Sequence, residues 1–327
     1  MTTRADDIID RRRLRRKLTF WRAVALLVVV AAIAVALARY GGGGMAGSSA
    51  DHIARIRIEG TITENEELLA RVKRATESER VKGVILTVDS PGGTTAGGEA
   101  LYEAVRKLAE SKPVVAQVGT LAASAGYMIA SAADHIVARQ SSNVGSIGVL
   151  FQFPDVTGLM DKIGVKLEGV KSSPLKAEPS PFSPTSEEER AMIRNLVMDS
   201  YDWFVTLVDE RRANMTRAEV LAVADGSIFT GRQALERKLV DELGGVEVAK
   251  AWLVTRGVSD GLEIVDWKPS SSGMDWLLGN GAAQALAAWL GLPADAGRVL
   301  RDIGADRIFL DGLVSVWQPE LGAFPGK

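Results

Sequence analysis

The central part of the chain alternates between short apolar runs and segments with helical spacing. Four strands are predicted first, a half-buried one in which apolar and polar residues alternate and then three buried apolar runs, at 53–62, 81–90, 113–120 and 135–139. Helices are predicted between them, at 64–79, through Leu101, Val105 and Leu108, and at 122–133. Strands that alternate with helices at this spacing favour right-handed βαβ crossovers and a largely parallel sheet.

A second series of elements follows Gly164. We expect a strand at 165–172 and then a connection rich in serine and proline. Thr185 or Ser186, with a glutamate three residues later, predicts a capping box that starts a long helix to about Arg212. Three shorter helices and a last strand are expected near 216–224, 230–238, 245–256 and 262–267.

The N-terminal segment has the features of a membrane anchor. Sixteen consecutive apolar residues occupy 23–38. As a helix they would span about 24 Å, and flanking aromatic residues extend that reach toward a hydrocarbon core of about 30 Å. A cluster of arginine and lysine precedes the run, which predicts that residues 1–19 are cytoplasmic. The alternative is a cleaved export signal, because Ala36-Leu37-Ala38 has the form of a cleavage site.

The amino-acid composition excludes several types of chemistry but says little about the fold. The net charge is -2, from 39 basic and 41 acidic residues, so the total charge does not point to nucleic acid. There is no cysteine, which excludes disulfides, thiolate catalysis and cysteine-based zinc sites. Only two histidines occur, His52 and His135, although histidine is the commonest general base near neutral pH.

Two predicted strands end in unusual turns. Asp89-Ser90-Pro91-Gly92-Gly93 closes a buried strand, and its glycines leave backbone N–H groups open to a substrate carbonyl, as in an oxyanion hole. After the next strand, Ser124 stands among alanine and glycine at a helix N-terminus, where its hydroxyl is uncrowded. Each turn alone is better explained as a tight turn or a helix cap. The two together supply what acyl transfer requires.

A nucleophilic Ser124 needs a general base. A helix of about 15 Å separates it from His135, and His52 follows a glycine-rich linker in a region that we expect to be mobile. Neither histidine is therefore a convincing partner. A lysine can accept the hydroxyl proton if burial lowers its pKa and keeps the amine neutral.

Several motifs in the same order make the chain similar to a known family. They are Asp89–Gly93, Ala122–Tyr127, Gly145–Val149, and Gly231–Ala234 with Leu239–Gly244. Together they resemble the signal peptide peptidase A family, which comprises bacterial membrane-bound serine peptidases, over about residues 53–265. The resemblance implies an α/β fold of the Clp-protease/crotonase-like class, with repeated ββα-type units preceded by one N-terminal transmembrane helix. We expect the 231–244 motif to have a packing role rather than a chemical one.

The resemblance also implies the catalytic pair. Ser124 matches the nucleophile of the family, and the segment Lys171–Lys176 matches the context of its lysine, which places the base at Lys176. Lys171 is the rival base and Lys166 a more distant one. Pro174 departs from the small residue expected before the lysine, so the loop around the base is the part of the match that fits least well.

Further roles follow from the same resemblance. Ser146 is expected to orient the lysine, and the backbone N–H groups of Gly93 and Ser124 to hold the oxyanion. We expect no metal and no cofactor. An apolar subsite for substrate is predicted from four residues near these motifs: Leu121, Ile147, Val149 and Leu150.

The expected function is a membrane-anchored serine endopeptidase that degrades cleaved signal peptides or other short apolar peptides after export. Its expected partners are such peptides, membrane lipid through the N-terminal helix, and further copies of the chain in a ring, but no nucleic acid. The lysine could then come from a neighbouring subunit. The predicted location is the bacterial inner membrane, in a single pass, with the N-terminus cytoplasmic and the catalytic domain periplasmic.

Three alternatives remain at this stage. One is a related membrane Ser-Lys peptidase that regulates other membrane proteins. Another is a crotonase-type enzyme acting on acyl thioesters, which would need catalytic carboxylates near the site and a cytoplasmic location. The third is a non-catalytic scaffold that has kept the fold.

The 327 residues are thus expected to form five segments. They are a cytoplasmic basic segment, a transmembrane anchor, a flexible linker, a peptidase domain and a C-terminal helical extension, at 1–19, 20–40, 41–51, 52–268 and 269–327. The extension is rich in tryptophan, leucine, alanine and glycine. It is expected to pack on the body or on a neighbouring subunit, or alternatively to lie on the membrane surface.

Overall fold

The computed structural model describes residues 50–268, the strand at 314–316 and, near the N-terminus, positions 21, 24, 27 and 28. Most of the predicted membrane anchor and most of the predicted C-terminal extension lie outside the described residues. Within the described part of the chain, no helix is both long enough and apolar enough to cross a membrane. The described residues 50–268 and 314–316 belong to one compact unit.

Strands and helices alternate through the body, which confirms the predicted α/β class. The strands are β1 (His52–Glu59), β2 (Val81–Ser90), β3 (Gly92–Thr94), β4 (Val114–Ala123), β5 (His135–Ala138), β6 (Asn143–Gly145), β7 (Ile228–Thr230), β8 (Glu242–Leu243), β9 (Ile264–Asp266) and β10 (Val314–Val316). The helices are α1 (Glu66–Glu77), α2 (Thr95–Ser111), α3 (Ala125–Ser131), α4 (Thr157–Ile163), α5 (Glu187–Arg211), α6 (Arg217–Val223), α7 (Gly231–Glu236) and α8 (Val246–Thr255).

The main sheet is mixed, with a parallel centre. Its order is β7-β6-β4-β2-β1-β9, with β5 paired to β4 and β8 paired to β5. Strands β1, β2 and β4 run parallel to one another, whereas β6 and β7 are antiparallel. The carboxyl ends of β2 and β4 are neighbours, and this places the two unusual turns of the sequence at the same edge of the sheet.

Helices cover both faces of the sheet, which explains the continuous apolar run of β2. Val84, Leu86 and Val88 belong to the main core with helices α1, α2, α3 and α5. Ile85 belongs to a smaller core with Leu253 of α8. Because successive side chains of a strand point to opposite faces, alternate residues of one strand serve the two cores.

Side-chain caps fix where two of the predicted helices begin. At α1, the Asn65 side chain accepts a hydrogen bond of 3.0 Å from the N–H of Leu68. At α5, Ser186 and Glu189 form the predicted capping box, with reciprocal side-chain to backbone bonds of 3.1 and 3.2 Å. Such caps satisfy N–H groups that have no partner within the helix.

The prediction of a strand at 165–172 was wrong, because the structure has no strand there. Helix α4 ends at Ile163, the next residue Gly164 has a left-handed conformation, and the N–H of Val165 donates back to the carbonyl of Met160. The residues that follow are exposed, including Leu167 and Val170. An alternating pattern indicates a strand only where another strand accepts its hydrogen bonds, and the sheet as described offers none here.

Both histidines have structural positions. His52 belongs to β1 and is buried, with Nδ1 2.9 Å from the carbonyl of Ala50 and Nε2 accepting a 3.0 Å bond from Nε1 of Trp267. The expectation of a mobile His52 was therefore wrong. His135 pairs with Val115 at the start of β4 and stacks on Trp252. The length of β4, roughly 26 Å from Val115 to its end, lies between His135 and Ser124.

Candidate active site

Ser124 occupies the junction between β4 and α3 in an unusual backbone conformation. Its φ of 57° and ψ of -121° lie outside the regions that side chains with a Cβ prefer. Such strain costs about 1–3 kcal/mol and is typically found at functional sites. The N–H of Ser124 donates to the carbonyl of Gly145 at 2.8 Å, and the carbonyl of Ser124 accepts from Met128 at 2.9 Å. The strained residue is thus held by its own backbone bonds.

Small residues allow the Ser124 junction to pack closely on its neighbours. A Cβ atom at Gly126 would lie 2.9 Å from the carbonyl oxygen of Ser90, at the end of β2. A Cβ atom at Gly98 of α2 would lie 3.1 Å from Cβ of Ala125. Helix α3 also contacts β3, the strand that carries Gly93. The two turns that the sequence singled out therefore lie side by side.

The Pro-Gly-Gly turn is fixed by Ser90. The Ser90 hydroxyl is buried, donates to the carbonyl of Gly60 at 2.6 Å and accepts from the N–H of Gly92 at 3.1 Å. Beyond it, the N–H of Ile62 donates to Gly92 and the N–H of Thr94 donates to Ile62, each at 2.8 Å. Polar groups of successive strand residues point to opposite sides, so the N–H of Gly93 faces away from Ile62.

Asp89 aligns the two strand ends. Its Oδ1 accepts a bond of 3.1 Å from the N–H of Leu121 on β4, and a Cβ atom at Gly119 would approach Oδ2 to 2.9 Å. The β2–β4 register shifts between Val88 and Ser90 at this point. The carboxylate therefore bridges a place where the regular ladder is interrupted. Neither Asp89 nor Ser90 was predicted as a positioning residue, although both stand in the motif.

A substitution at Gly93 tests how tight this turn is. A Cβ atom there would lie 1.7 Å from the carbonyl oxygen of Ile62, an overlap that the backbone must move to relieve. We expect Gly93→Ala to lower kcat/KM for peptide hydrolysis by about 10²–10³-fold, as for loss of one oxyanion donor.

The control for this prediction is Gly60→Ala. A Cβ atom at Gly60 would have no neighbour within 4 Å, but the residue has a φ of 73°, so alanine there brings backbone strain without overlap. Activity is measured with a fluorogenic peptide. If Gly93→Ala were as active as the wild-type protein, the claim that this turn has no room for a Cβ atom would be contradicted.

Ser146 lies in the turn that follows β6, beside the nucleophile strand. Gly145 pairs with Ala123 of β4, and Ser146 then has a φ of 51°. The N–H of Ser146 donates to the carbonyl of Ser227 at 2.7 Å, so the turn is tied to the segment before β7. The structure thus brings Ser146 near Ser124 in the order that the sequence motifs indicate.

The N–H of Ser124 does not have the role expected from the sequence in this arrangement. It was predicted to hold the oxyanion, but it donates to Gly145 within the sheet. The first amide of a helix has no acceptor inside that helix. The N–H of Ala125, which begins α3, is accordingly the better placed donor at this junction.

The candidate lysines lie in a turn between α4 and α5. Lys171 forms an ion pair with Glu178, whose side chain is nearly buried. This pairing, together with a 2.6 Å bond from the N–H of Ser180, holds the pKa of Glu178 below its usual range. Lys176 and Lys166 are exposed in the single chain, whereas Ser124 is buried.

The backbone around Lys176 is well defined by its own bonds. The N–H of Lys176 donates to Ser173 at 3.1 Å, and the N–H of Glu178 donates to Leu175 at 3.3 Å. Ala177 between them has a φ of 62°. Lys176 therefore stands at the tip of a turn that the Lys171–Glu178 pair closes at its base.

The predicted apolar subsite divides into different environments. Ile147 is fully buried in the main core, so its side chain is not open to a substrate in this structure. Leu121 and Val149 are half-buried, and Leu150 is exposed. Among residues 50–268, no three histidine, aspartate or glutamate side chains are grouped so that they could hold a metal ion.

The packing role expected for the 231–244 motif is visible in its contacts with the nucleophile helix. The hydroxyl of Tyr127 donates to the carbonyl of Leu239 at 2.9 Å, and burial raises the pKa of this phenol. Arg212 binds both carboxylate oxygens of Asp241 at 2.7 and 3.0 Å, and also the carbonyl of Lys238. Helix α3, which follows Ser124, is thus bound through Tyr127 to a distant part of the chain.

Removal of the Tyr127 hydroxyl should destabilise the fold measurably. In Tyr127→Phe the carbonyl of Leu239 would remain buried without its donor, which costs about 1–3 kcal/mol. Tyr201 makes a similar bond of 2.8 Å to Ala224 but is only half-buried, so Tyr201→Phe should cost less. Urea unfolding of both variants measures the difference. Equal losses in the free energy of unfolding would show that the cost does not depend on how deeply the tyrosine is buried.

Comparisons with known proteins identify the family of this chain. The model of peptidase family S49 matches residues 106–257, and that of Clp protease matches residues 52–143. A proposed protease of Synechocystis sp. is 36% identical over 64% of this chain and 75% of its own length. A proposed signal peptide peptidase SppA of Enterococcus faecium is 33% identical over 76% of this chain and 75% of its own length.

A longer relative shares the same region. The chloroplastic serine protease SPPA of Arabidopsis thaliana is 33% identical over 62% of this chain, a match that spans 32% of the plant protein. The regions matched by the two family models both include Ser124. The chain therefore belongs to the signal peptide peptidase A family of serine proteases, peptidase family S49.

Proposed function

We propose that this protein is a membrane-anchored serine endopeptidase with a Ser-Lys dyad that degrades cleaved signal peptides or other short apolar peptides after export. The observation that carries the proposal is the strained Ser124 at a strand–helix junction packed beside the Pro-Gly-Gly turn. A serine on such a junction, next to backbone donors from a second strand end, is the arrangement used for acyl transfer.

In the proposed reaction, Ser124 Oγ attacks the peptide carbonyl and Lys176, as a neutral amine, takes the hydroxyl proton. The N–H groups of Gly93 and Ala125 stabilise the negative charge on the former carbonyl oxygen. Lys176 then gives its proton to the leaving amine, and an ester to Ser124 remains. Water hydrolyses this ester with the lysine again acting as base, and Ser146 orients the amine.

The ion pair of Lys171 supports Lys176 as the base. A base needs a nitrogen that is open to the serine hydroxyl, and the Lys171 nitrogen is instead held in an ion pair with Glu178, whose side chain is nearly buried. Separating this pair would leave the nearly buried Glu178 carboxylate without its counter-ion, which is costly. Lys176 carries no such ion pair among the salt bridges of the described residues, and it stands at the tip of the same turn.

Exposed apolar residues support an assembly of several copies. Residues between β6 and the middle of α5 include many large apolar side chains that are open to solvent in the single chain: Leu150, Leu159, Ile163, Leu167, Val170, Phe182, Leu196 and Met198. Concentrated exposed apolar surface is typical of an interface. Because Lys176 lies in this region, packing by a second copy would bury it, as a neutral lysine requires.

We infer that the assembly is a ring and that the lysine acts either on its own subunit or on the next. The membrane part of the proposal rests on the sequence of residues 20–40, an apolar run preceded by a basic cluster. In this arrangement the N-terminus is cytoplasmic and the peptidase domain is on the periplasmic side of the inner membrane.

Apolar peptides are the proposed substrates because of the residues around the junction. Leu121, Val149 and Leu150 are accessible in part and flank the β4–α3 junction and the turn after β6. An enzyme of this specificity should cleave a leucine-rich fluorogenic peptide in preference to a charged one of equal length. Equal rates on the two peptides would contradict the substrate class while leaving the protease assignment intact.

A further inference from the structure

The C-terminal strand β10 lies on the strand that carries the proposed oxyanion donor. Residues 314–316 pair antiparallel with β3, with Val314 opposite Thr94, Ser315 opposite Gly93 and Val316 opposite Gly92. These two short strands form a sheet of their own. A segment nearly at the end of the sequence thus reaches the turn next to Ser124.

The bonds on the other side of β3 show which pair of residues in β3 and β10 exchanges backbone hydrogen bonds. The carbonyl of Gly92 and the N–H of Thr94 both face Ile62. Strand residues alternate in direction, so the N–H and the carbonyl of Gly93 face β10. Gly93 and Ser315 therefore form the pair that exchanges backbone hydrogen bonds, and the carbonyl of Ser315 accepts from the N–H of Gly93.

This position is the one that a substrate carbonyl has to occupy. In the proposed reaction the N–H of Gly93 binds the oxygen of the peptide bond under attack, and an extended peptide adds to a sheet edge by antiparallel pairing. The chain's own backbone at Ser315 presents the same groups in the same direction. Residues 314–316, called the tail below, and a substrate peptide cannot both pair with this edge of β3.

We propose that residues 314–316 are an internal competitor, which occupies the peptide-binding edge of β3 and has to leave before a substrate binds. The proposal rests on the function proposed above. A pairing of three residues supplies few backbone bonds, each with a small net contribution, so a substrate peptide can displace it. The tail would lower the apparent affinity for peptides without changing the chemical step, because it is absent from the substrate complex.

Two proline substitutions in the full chain test this inference. Ser315→Pro removes the N–H that donates to Gly93, whereas Val316→Pro removes an N–H that faces away from β3, and it serves as the matched control. In both cases Ser124 is replaced by alanine, so that binding is measured without turnover. The probe is a short fluorescein-labelled leucine-rich peptide, followed by fluorescence polarisation.

We expect Ser315→Pro to bind the probe at least about fivefold more tightly than the protein with an intact tail, and Val316→Pro to bind it nearly as the intact protein does. Equal affinity in all three proteins would overturn the proposal. Binding that is absent in all three proteins would also overturn it, since no peptide site would then exist for the tail to block.

A second measurement separates this inference from the proposed function. Hydrogen exchange at Gly93 reports directly whether β10 covers β3, and it requires no substrate and no activity. We expect slow exchange in the intact protein and faster exchange in Ser315→Pro. Fast exchange in the intact protein would overturn the inference even if the enzyme cleaves peptides. Slow exchange in a protein that cleaves no peptide, with Ser124 intact, would instead count against the proposed function.

Discussion

Ser124→Ala is expected to abolish peptide hydrolysis, with a loss of about four to six orders of magnitude in kcat. Removal of a nucleophilic serine leaves only the rate enhancement that binding and the oxyanion donors provide. The fold should be retained, because Ser124 makes no side-chain cap bond to helix α3 and its Oγ donates a long bond of 3.4 Å to the carbonyl of Gly148, whereas its backbone bonds do not involve Oγ. The unfolding transition of the variant should therefore remain close to that of the wild type.

A matched control for this prediction lies at the far end of the same helix. Ser131 is also buried, ends α3 and donates to the carbonyl of Met128 at 2.7 Å. Ser131→Ala should keep its activity although it loses a buried hydrogen bond. Hydrolysis of a fluorogenic apolar peptide by the two variants measures the difference. If Ser124→Ala retained turnover comparable to Ser131→Ala, Ser124 could not be the nucleophile.

Lys176→Ala is the second large effect that we expect, a loss of about 10³-fold or more in kcat. Without a base the Ser124 hydroxyl is a weak nucleophile, and a positioned general base contributes about 10²–10⁴-fold. Because Lys176 is exposed in the single chain, its removal should not lower the stability of the fold. A loss of activity with an unchanged unfolding transition would therefore indicate chemistry rather than structure.

Two further lysines serve as comparisons for Lys176. Lys166→Ala replaces an exposed residue of the same connection and should leave hydrolysis unchanged. Lys171→Ala removes the partner of Glu178, so we expect a stability loss together with retained turnover. Full activity in Lys176→Ala combined with an inert Lys171→Ala would reverse the assignment. That result would make Lys171 the base and would mean that the Glu178 pair opens in the active enzyme.

The pattern of apolar residues predicted most of the fold because strands and helices here are amphipathic or fully apolar. Strand β2, for instance, occupies the predicted residues 81–90. The error at 165–172 has a physical cause: alternation describes one strand, but a strand also needs a neighbour with free hydrogen-bonding groups. The sheet as described supplies none there, and the apolar residues of that segment remain exposed.

The site was predicted in part, and the missing part consists of tertiary hydrogen bonds. Close packing around Ser124 and the Pro-Gly-Gly turn requires small residues, and these alanines and glycines can be recognised in the sequence. The bond from Ser90 to Gly60 joins residues thirty apart, and that from Leu121 to Asp89 joins residues thirty-two apart. No local pattern shows such partners. The use of the Ser124 N–H by Gly145 is likewise a consequence of the β4–β6 pairing.

The role of the C-terminal strand could not have been predicted from the sequence. Val314–Val316 is short and apolar at both ends, and it is separated from its partner β3 by more than two hundred residues. The structure makes it relevant by placing Ser315 opposite Gly93. The turn at Gly93 therefore has two proposed roles: its N–H stabilises the oxyanion, and its strand pairs with β10.

The central claim is that Ser124 is the nucleophile of a peptidase, and covalent labelling tests it most directly. The full-length protein would be treated with an apolar peptide that carries a fluorophosphonate at its carboxyl end, and the modified residue would be located by tandem mass spectrometry after digestion. We expect one adduct, on Ser124, with hydrolysis lost in proportion to labelling. An adduct on another residue, or full inhibition while Ser124 remains unmodified, would contradict the claim.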